Sequence, residues 1–153
     1  MSSTSHLTQW AGQFGVAHEM TRRGYLVSFT MGNAPAVDLL CKSPAGTEFS
    51  VQVKSLKSKT FFLYQNSLLE SKSNLFFVFV LVPVSEEMNF NLKPAEYFVL
   101  NRKQFAEAIN EQMSVNRKRE KQRGKPYAEF SPGISYSVLN KNEYCNAWIN
   151  LPK

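Results

Sequence analysis

Eight consecutive apolar residues, Leu75 to Val82 (LFFVFVLV), constrain this chain more than any other stretch. The run has no alternation of polar and apolar residues, so both faces of the strand it forms must be covered. It is far too short to cross a bilayer as a helix. A strand buried on both faces predicts a layered α/β or α+β fold, with a mixed central sheet flanked by helices. The 153 residues fit one domain, residues 1–153, with a substantial core. A hydrophobic fraction of 43%, with 12 Phe and 6 Tyr, supplies that core and excludes a chain disordered by composition.

Other elements arrange themselves around this strand. Thr8–Arg23 reads as a helix, stopped by Gly24, with Arg22 and Arg23 in the last turn where they suit the dipole. At about 100° per residue, Trp10, Phe14, Val16, Ala17 and Met20 share one face, and Gln13 falls within it. Glu19 and His18 fall toward solvent, and His6 lies in an expected loose terminus. Gly12 and Gly15 weaken a helix unless they mark close packing against a neighbour. Tyr25–Thr30 is a strand, with Leu26 and Ser28 on one face and Tyr25, Val27 and Phe29 on the other. Tyr97–Leu100 is a short strand, and Asn101 caps a helix over residues 102–113 whose buried face uses Phe105, Ala108, Ile109 and Met113. The tail gives a short strand and then a small helix anchored by Tyr144, Trp148 and Leu151.

The hairpin NAPAVDLLCKSPAGTEFSVQVKS, Asn33 to Ser55, places polar residues where burial is expected. Val37–Lys42 and Glu48–Ser55 are strands joined by the turn SPAGT. Along the second strand, Phe49, Val51 and Val53 point one way and Ser50, Gln52 and Lys54 the other. A five-residue loop pairs Lys42 with Glu48 and Leu40 with Ser50, and continues to Asp38 opposite Gln52. Asp38, Gln52 and Lys54 thereby gather at one end of the hairpin. An acid and an amide oxygen suit a hard cation such as Mg²⁺ or Mn²⁺. A lysine beside them can orient or deprotonate water, or steady phosphate charge. Without further context, the same residues also describe a structural ion pair.

Charge points to a partner class. Lys and Arg number 18 against 12 Asp and Glu, a net charge of +6, which favours polyanions and nucleic acid first. Arg117 to Lys125 is the densest basic run, an exposed loop in which Arg117, Lys118, Arg119 and Lys121 are phosphate-contact candidates. Lys57 and Lys59 follow the hairpin lysine and are candidates for the same role. The two cysteines, Cys41 and Cys145, have no metal-ligand spacing and read as reduced thiols. The first residues carry no basic region followed by an apolar run, so the expectation is a cytoplasmic protein without a membrane partner.

VDLL followed after a turn by VQVKS resembles the core of the PD-(D/E)xK, or restriction-endonuclease-like, nuclease superfamily, in the Mrr-like branch where QxK replaces ExK. The preceding AGQFGVAHEMTRRGYLVSFTMGNAPAVDLL is similar to the leading helix and first two strands of that core. The resemblance covers residues 10–55, and the strand at Leu75–Val82 fits the next core element. It implies the order helix–strand–strand–strand–helix–strand, and Mg²⁺- or Mn²⁺-dependent hydrolysis of DNA phosphodiesters, commonly by a homodimer. It assigns Asp38 and Gln52 as metal ligands, Val53 as a ligand through its carbonyl, and Lys54 as the catalytic lysine. Relatives often add a glutamate on the first helix, at the position of Gln13. With Gln13 and Gln52 both neutral, Asp38 is the one carboxylate expected in the site. A catalytically silent nuclease fold, serving as a DNA-binding or protein-interaction module, is the alternative. RNA also remains open, since no groove-reading motif selects DNA.

Overall fold

The computed structural model describes residues 3–70, 74–127 and 132–153. Helix α1 (Ser3–Thr21) is followed by β1 (Leu26–Phe29), β2 (Leu39–Lys42), β3 (Glu48–Leu56) and the short β4 (Phe61–Leu63). A 3₁₀ turn (Asn66–Glu70), β5 (Leu75–Leu81), β6 (Glu96–Leu100) and α2 (Arg102–Arg123) come next. The chain closes with β7 (Gly133–Ser135), α3 (Tyr136–Leu139) and a 3₁₀ turn at Trp148–Asn150. Five strands form one mixed sheet in the order β1-β2-β3-β5-β6, and β4 pairs with β7 in a second, two-stranded sheet.

The apolar run is β5, an interior strand of the sheet flanked by parallel β3 and antiparallel β6. Its side chains divide by strand alternation. Val78 and Val80 pack with Val16, Met20, Val51 and Val53 on the α1 side. Phe77 and Phe79 pack with Phe62, Phe98, Phe105 and Ile134 on the α2 side. Phe77 stacks on Phe105 with ring centroids 4.2 Å apart. The continuous apolar composition thus serves two separate cores, one on each face of the sheet.

The hairpin ladder forms in the register read from the sequence: Lys42 faces Glu48, Cys41 faces Phe49 and Leu40 faces Ser50. Gly24 has φ +92, in the left-handed region that favours glycine, and ends the connection out of α1. Asn101 caps α2 through a reciprocal pair: its side chain accepts from the Gln104 N–H, and the Gln104 side chain accepts from the Asn101 N–H, both at 2.9 Å.

Several expectations are corrected. Among the described residues no α-helix connects the third strand to β5; β4 (Phe61–Leu63) and the 3₁₀ turn (Asn66–Glu70) lie there instead. The aromatic segment there finds a strand partner in β7, which overrides the implied helix. The buried face of α1 is Gln13, Val16, Ala17 and Met20, while Phe14 is 57% exposed. The sheet meets α1 through Gly12, and this rotates Phe14 outward. His6 is not loose; it lies in α1 and accepts a hydrogen bond from Trp10 Nε1 at 3.0 Å. Helix α2 does not end near Met113 but continues through the basic run to Arg123, where Gly124 at φ +73 stops it. Lys, Arg, Gln and Glu all favour helix, and no breaker precedes that glycine. Met113 is 45% exposed, and Gln112 takes its place in the buried face.

Candidate active site

Strand β2 begins at Leu39 while β3 runs on to Leu56, so one edge of β3 beyond Gln52 has no strand beside it. This uncovered edge, together with the start of α1, forms an open cleft of about 420 Å³. Its lining includes Thr8, Gln9, Asp38, Gln52, Val53 and Lys54, with Lys57 at the rim. The tail of the hairpin and the helix before it therefore converge on one hollow.

Asp38 does not simply continue the ladder opposite Gln52. Its N–H donates to the Val51 carbonyl at 3.0 Å, although Val51 is already the partner of Leu39. Two residues then face one, as at a β-bulge, a device that re-aims a side chain at the end of pairing. The carboxylate turns into the plane of the sheet. Asp38 Oδ2 accepts from the Val53 N–H at 2.8 Å, and Oδ1 accepts from Gln13 Nε2 at 3.3 Å. Just before it, Ala36 holds φ +56, a left-handed conformation that is unfavourable for a residue with a side chain. Thr30 steadies the same loop: its N–H donates to the Asp38 carbonyl, and its hydroxyl donates to the Val37 carbonyl at 2.7 Å.

Electrostatics at Asp38 are divided. Burial pushes its carboxyl above the usual range; the Val53 N–H and the positive charge of Lys54 pull the other way. Lys54 acts across the cleft without a direct ion pair to Asp38 among the described residues. The result is a half-buried carboxylate whose negative charge is incompletely compensated by the protein.

Gln52 is 8% exposed, and its Oε1 is buried without a hydrogen-bond partner among the described residues. A buried acceptor left unpaired is costly and calls for a donor or a cation. Val53 adds a third oxygen. In a strand, the N–H and carbonyl of one residue point to the same side. Since the Val53 N–H reaches Asp38, its carbonyl faces the same open edge. The oxygen donors of Asp38, Gln52 and Val53 are the hard type that suits Mg²⁺ or Mn²⁺. Against this, no group of three or more His, Cys, Asp or Glu lies together among the described residues. Among the described residues Asp38 is the one carboxylate lining the cleft. Cys41 is no substitute, since burial pushes its thiol up to about 12.

The structure therefore brings together Asp38, Gln52, Val53, Lys54, Gln13 and Lys57, whose Nζ donates to Thr4 Oγ1 at 3.1 Å. Lys59 stands apart, with its ammonium 4.6 Å from the Tyr136 ring centroid. Arg117, Lys118, Arg119 and Lys121 do not line the cleft; they ride on the last turns of α2. Glu19 is held by Arg22 and Arg23 away from the site. The reading from sequence missed the contribution of Thr8 and Gln9 from α1. Their only signal is helical spacing from Gln13, which does not identify a cleft on its own. The chain matches no protein-family model, no curated protein and no solved structure. No helix among the described residues is long and apolar enough to cross a membrane.

Proposed function

We propose that this chain is a nuclease-like protein whose cleft hydrolyses nucleic-acid phosphodiesters, with Mg²⁺ or Mn²⁺ held by Asp38, Gln52 and the Val53 carbonyl. The observation that carries this reading is the unpaired Gln52 Oε1 beside an under-compensated carboxylate. The resemblance of the hairpin to the PD-(D/E)xK core, with its QxK variant, supports it independently. A divalent ion bound there would supply Lewis-acid stabilisation of charge on the phosphate and a more acidic water.

The protein's own groups do the rest. Asp38 is fixed by the Val53 N–H and the Gln13 amide, so it presents its remaining lone pairs to the cleft in one orientation. Lys54 stands across from it, where its ammonium opposes the charge that builds on a phosphate in the transition state. Lys57 at the rim holds the neighbouring backbone phosphate. DNA is the leading substrate, and RNA is tested beside it.

One observation favours a second reading, a nuclease fold that binds without cutting. Gln13 donates a neutral hydrogen bond to Asp38, where an acid would have added a second charge for the metal. A nicking assay on plasmid, branched DNA and RNA, with Mg²⁺ or Mn²⁺, separates the two. Wild type is expected to cut, and Asp38→Ala and Lys54→Ala to lose about 100-fold or more in rate. Equal cutting by all three removes this site. No cutting by wild type, with salt-dependent binding retained, selects the second reading.

A further inference from the structure

On α1, beside the cleft, lies a groove of about 360 Å³ lined by Trp10, Phe14, Phe29 and Met31. Phe14 is 57% and Met31 67% exposed, and neither position serves the cores described above. The rings are already arranged against one another. Trp10 and Phe14 stack at 5.3 Å between centroids, and Phe29 meets Phe14 edge-on at 5.5 Å. The indole N–H of Trp10 is anchored on His6 Nε2, which fixes the plane of that ring. Met31 reaches the groove from a backbone at φ +55, which is unfavourable for a residue with a side chain.

Groove and cleft share no lining residue, but both are built on α1, and chain neighbours of the groove residues line the cleft or hold Asp38. On the helix, Gln9 lines the cleft, Trp10 lines the groove, and Gln13, next to Phe14, holds Asp38. On the sheet side, Phe29 and Met31 flank Thr30, whose N–H and hydroxyl hold Asp38 and Val37. The groove carries no charged residue, whereas the cleft carries Lys54 and Lys57. Flat uncharged faces beside a cationic channel match a nucleotide strand, with bases on the aromatics and phosphates on the lysines.

We propose that Trp10, Phe14, Phe29 and Met31 form a base-stacking subsite, so that the cleft takes unpaired nucleic acid: single strands, frayed ends or the arms of branched structures. The proposal rests on reading the cleft as a phosphodiester site for its backbone half. A paired base has both faces covered by its neighbours and cannot enter the groove without unstacking, so intact duplex is disfavoured. Phe14 is the residue whose exposed ring the ligand gains most from.

The test is binding in Ca²⁺ or without metal, by fluorescence anisotropy. The probes are a single-stranded DNA oligomer, an RNA of the same length, an abasic DNA strand of equal charge, and a duplex. Wild type is expected to bind the base-bearing strands about tenfold or more tightly than the abasic strand or the duplex. Phe14→Ala should erase that difference while leaving abasic binding and its salt dependence unchanged, and Phe14→Trp should restore it. Exposure of Phe14 makes both variants compatible with folding, which circular dichroism checks. The proposal is overturned if wild type treats abasic and base-bearing strands alike, if Phe14→Ala retains the preference, or if sedimentation shows the groove buried in a dimer that Phe14→Ala dissociates. An Asp38→Ala variant keeps the outcomes separable. If it retains the base preference and wild type never cuts, stacking stands and the hydrolytic reading falls. If wild type cuts and shows no base preference, the reverse holds.

Discussion

Three glutamines are buried among the described residues, and the surroundings of two of them, Gln112 and Gln52, could hardly differ more. Gln112 in α2 is 3% exposed and fully employed. Its Oε1 accepts from the Ser135 N–H at 2.9 Å and from the Ser135 hydroxyl at 2.8 Å, and its Nε2 donates to Asn116 at 3.0 Å. Gln52 in β3 is 8% exposed, and its Oε1 has no partner among the described residues. The first amide fastens β7 to α2 and completes a structure. The second leaves a valence open, at the rim of a cleft and beside a strained loop. Burial alone does not distinguish a structural polar residue from a functional one; satisfaction of its hydrogen bonds does.

The comparison can be broken at either glutamine. Gln112→Leu should destabilise the fold by about 1–3 kcal/mol, because the half-buried Ser135 N–H and hydroxyl lose the acceptor that the buried Gln112 gives them; urea unfolding measures this. Gln52→Leu should change stability by less than about 1 kcal/mol, since it removes an unpaired acceptor together with its desolvation cost. The same variant should abolish any rise in melting temperature produced by Mg²⁺ or Mn²⁺. Equal destabilisation by the two variants would erase the distinction.

A smaller effect sharpens the site itself. Gln13→Glu sets a second carboxylate against Asp38, which repels it in the absence of metal and welcomes a cation in its presence. The metal-free protein should melt lower than wild type, and Mg²⁺ should raise its melting temperature by more. Calorimetry showing unchanged metal affinity would count against Gln13 standing at the ligand position.

The smallest expected effect concerns pH. Burial raises the carboxyl of Asp38 above its unfolded value. Its contribution to stability is therefore fully present below the ordinary carboxylate range and is lost as pH rises through the folded value. Asp38→Asn removes that loss. Its melting temperature should equal or exceed wild type at neutral pH, and the gap should close on acidification. A gap that widens toward acid would contradict the environment described for Asp38.

Much of this arrangement was legible in the residues, for reasons that can be named. Period-two burial and a five-residue turn fixed Lys42 opposite Glu48, and the ladder follows from that closure. Asn101, read as an N-cap, announced the start of α2. The final aim of Asp38 was not legible, because a bulge depends on where β2 stops pairing and not on the pattern within it. Nor was the outward turn of Phe14. Helical phase gives an apolar stripe, but only the neighbouring strand decides which part of the stripe is covered, and two glycines shifted that choice. The implied helix before β5 failed because β4 found a partner supplied by the distant tail.

Gly12 carries a last consequence. A Cβ placed there would stand 1.8 Å from Ser55 Oγ, so α1 rests flush on β3 with no clearance at that point. The very next residue is Gln13, and one position beyond it is Phe14. The glycine therefore acts as a gauge block between helix and sheet. It sets how far the amide stands from the acid on one side and where the aromatic ledge sits on the other. A single methyl group at this contact would throw both out of adjustment together, without touching either.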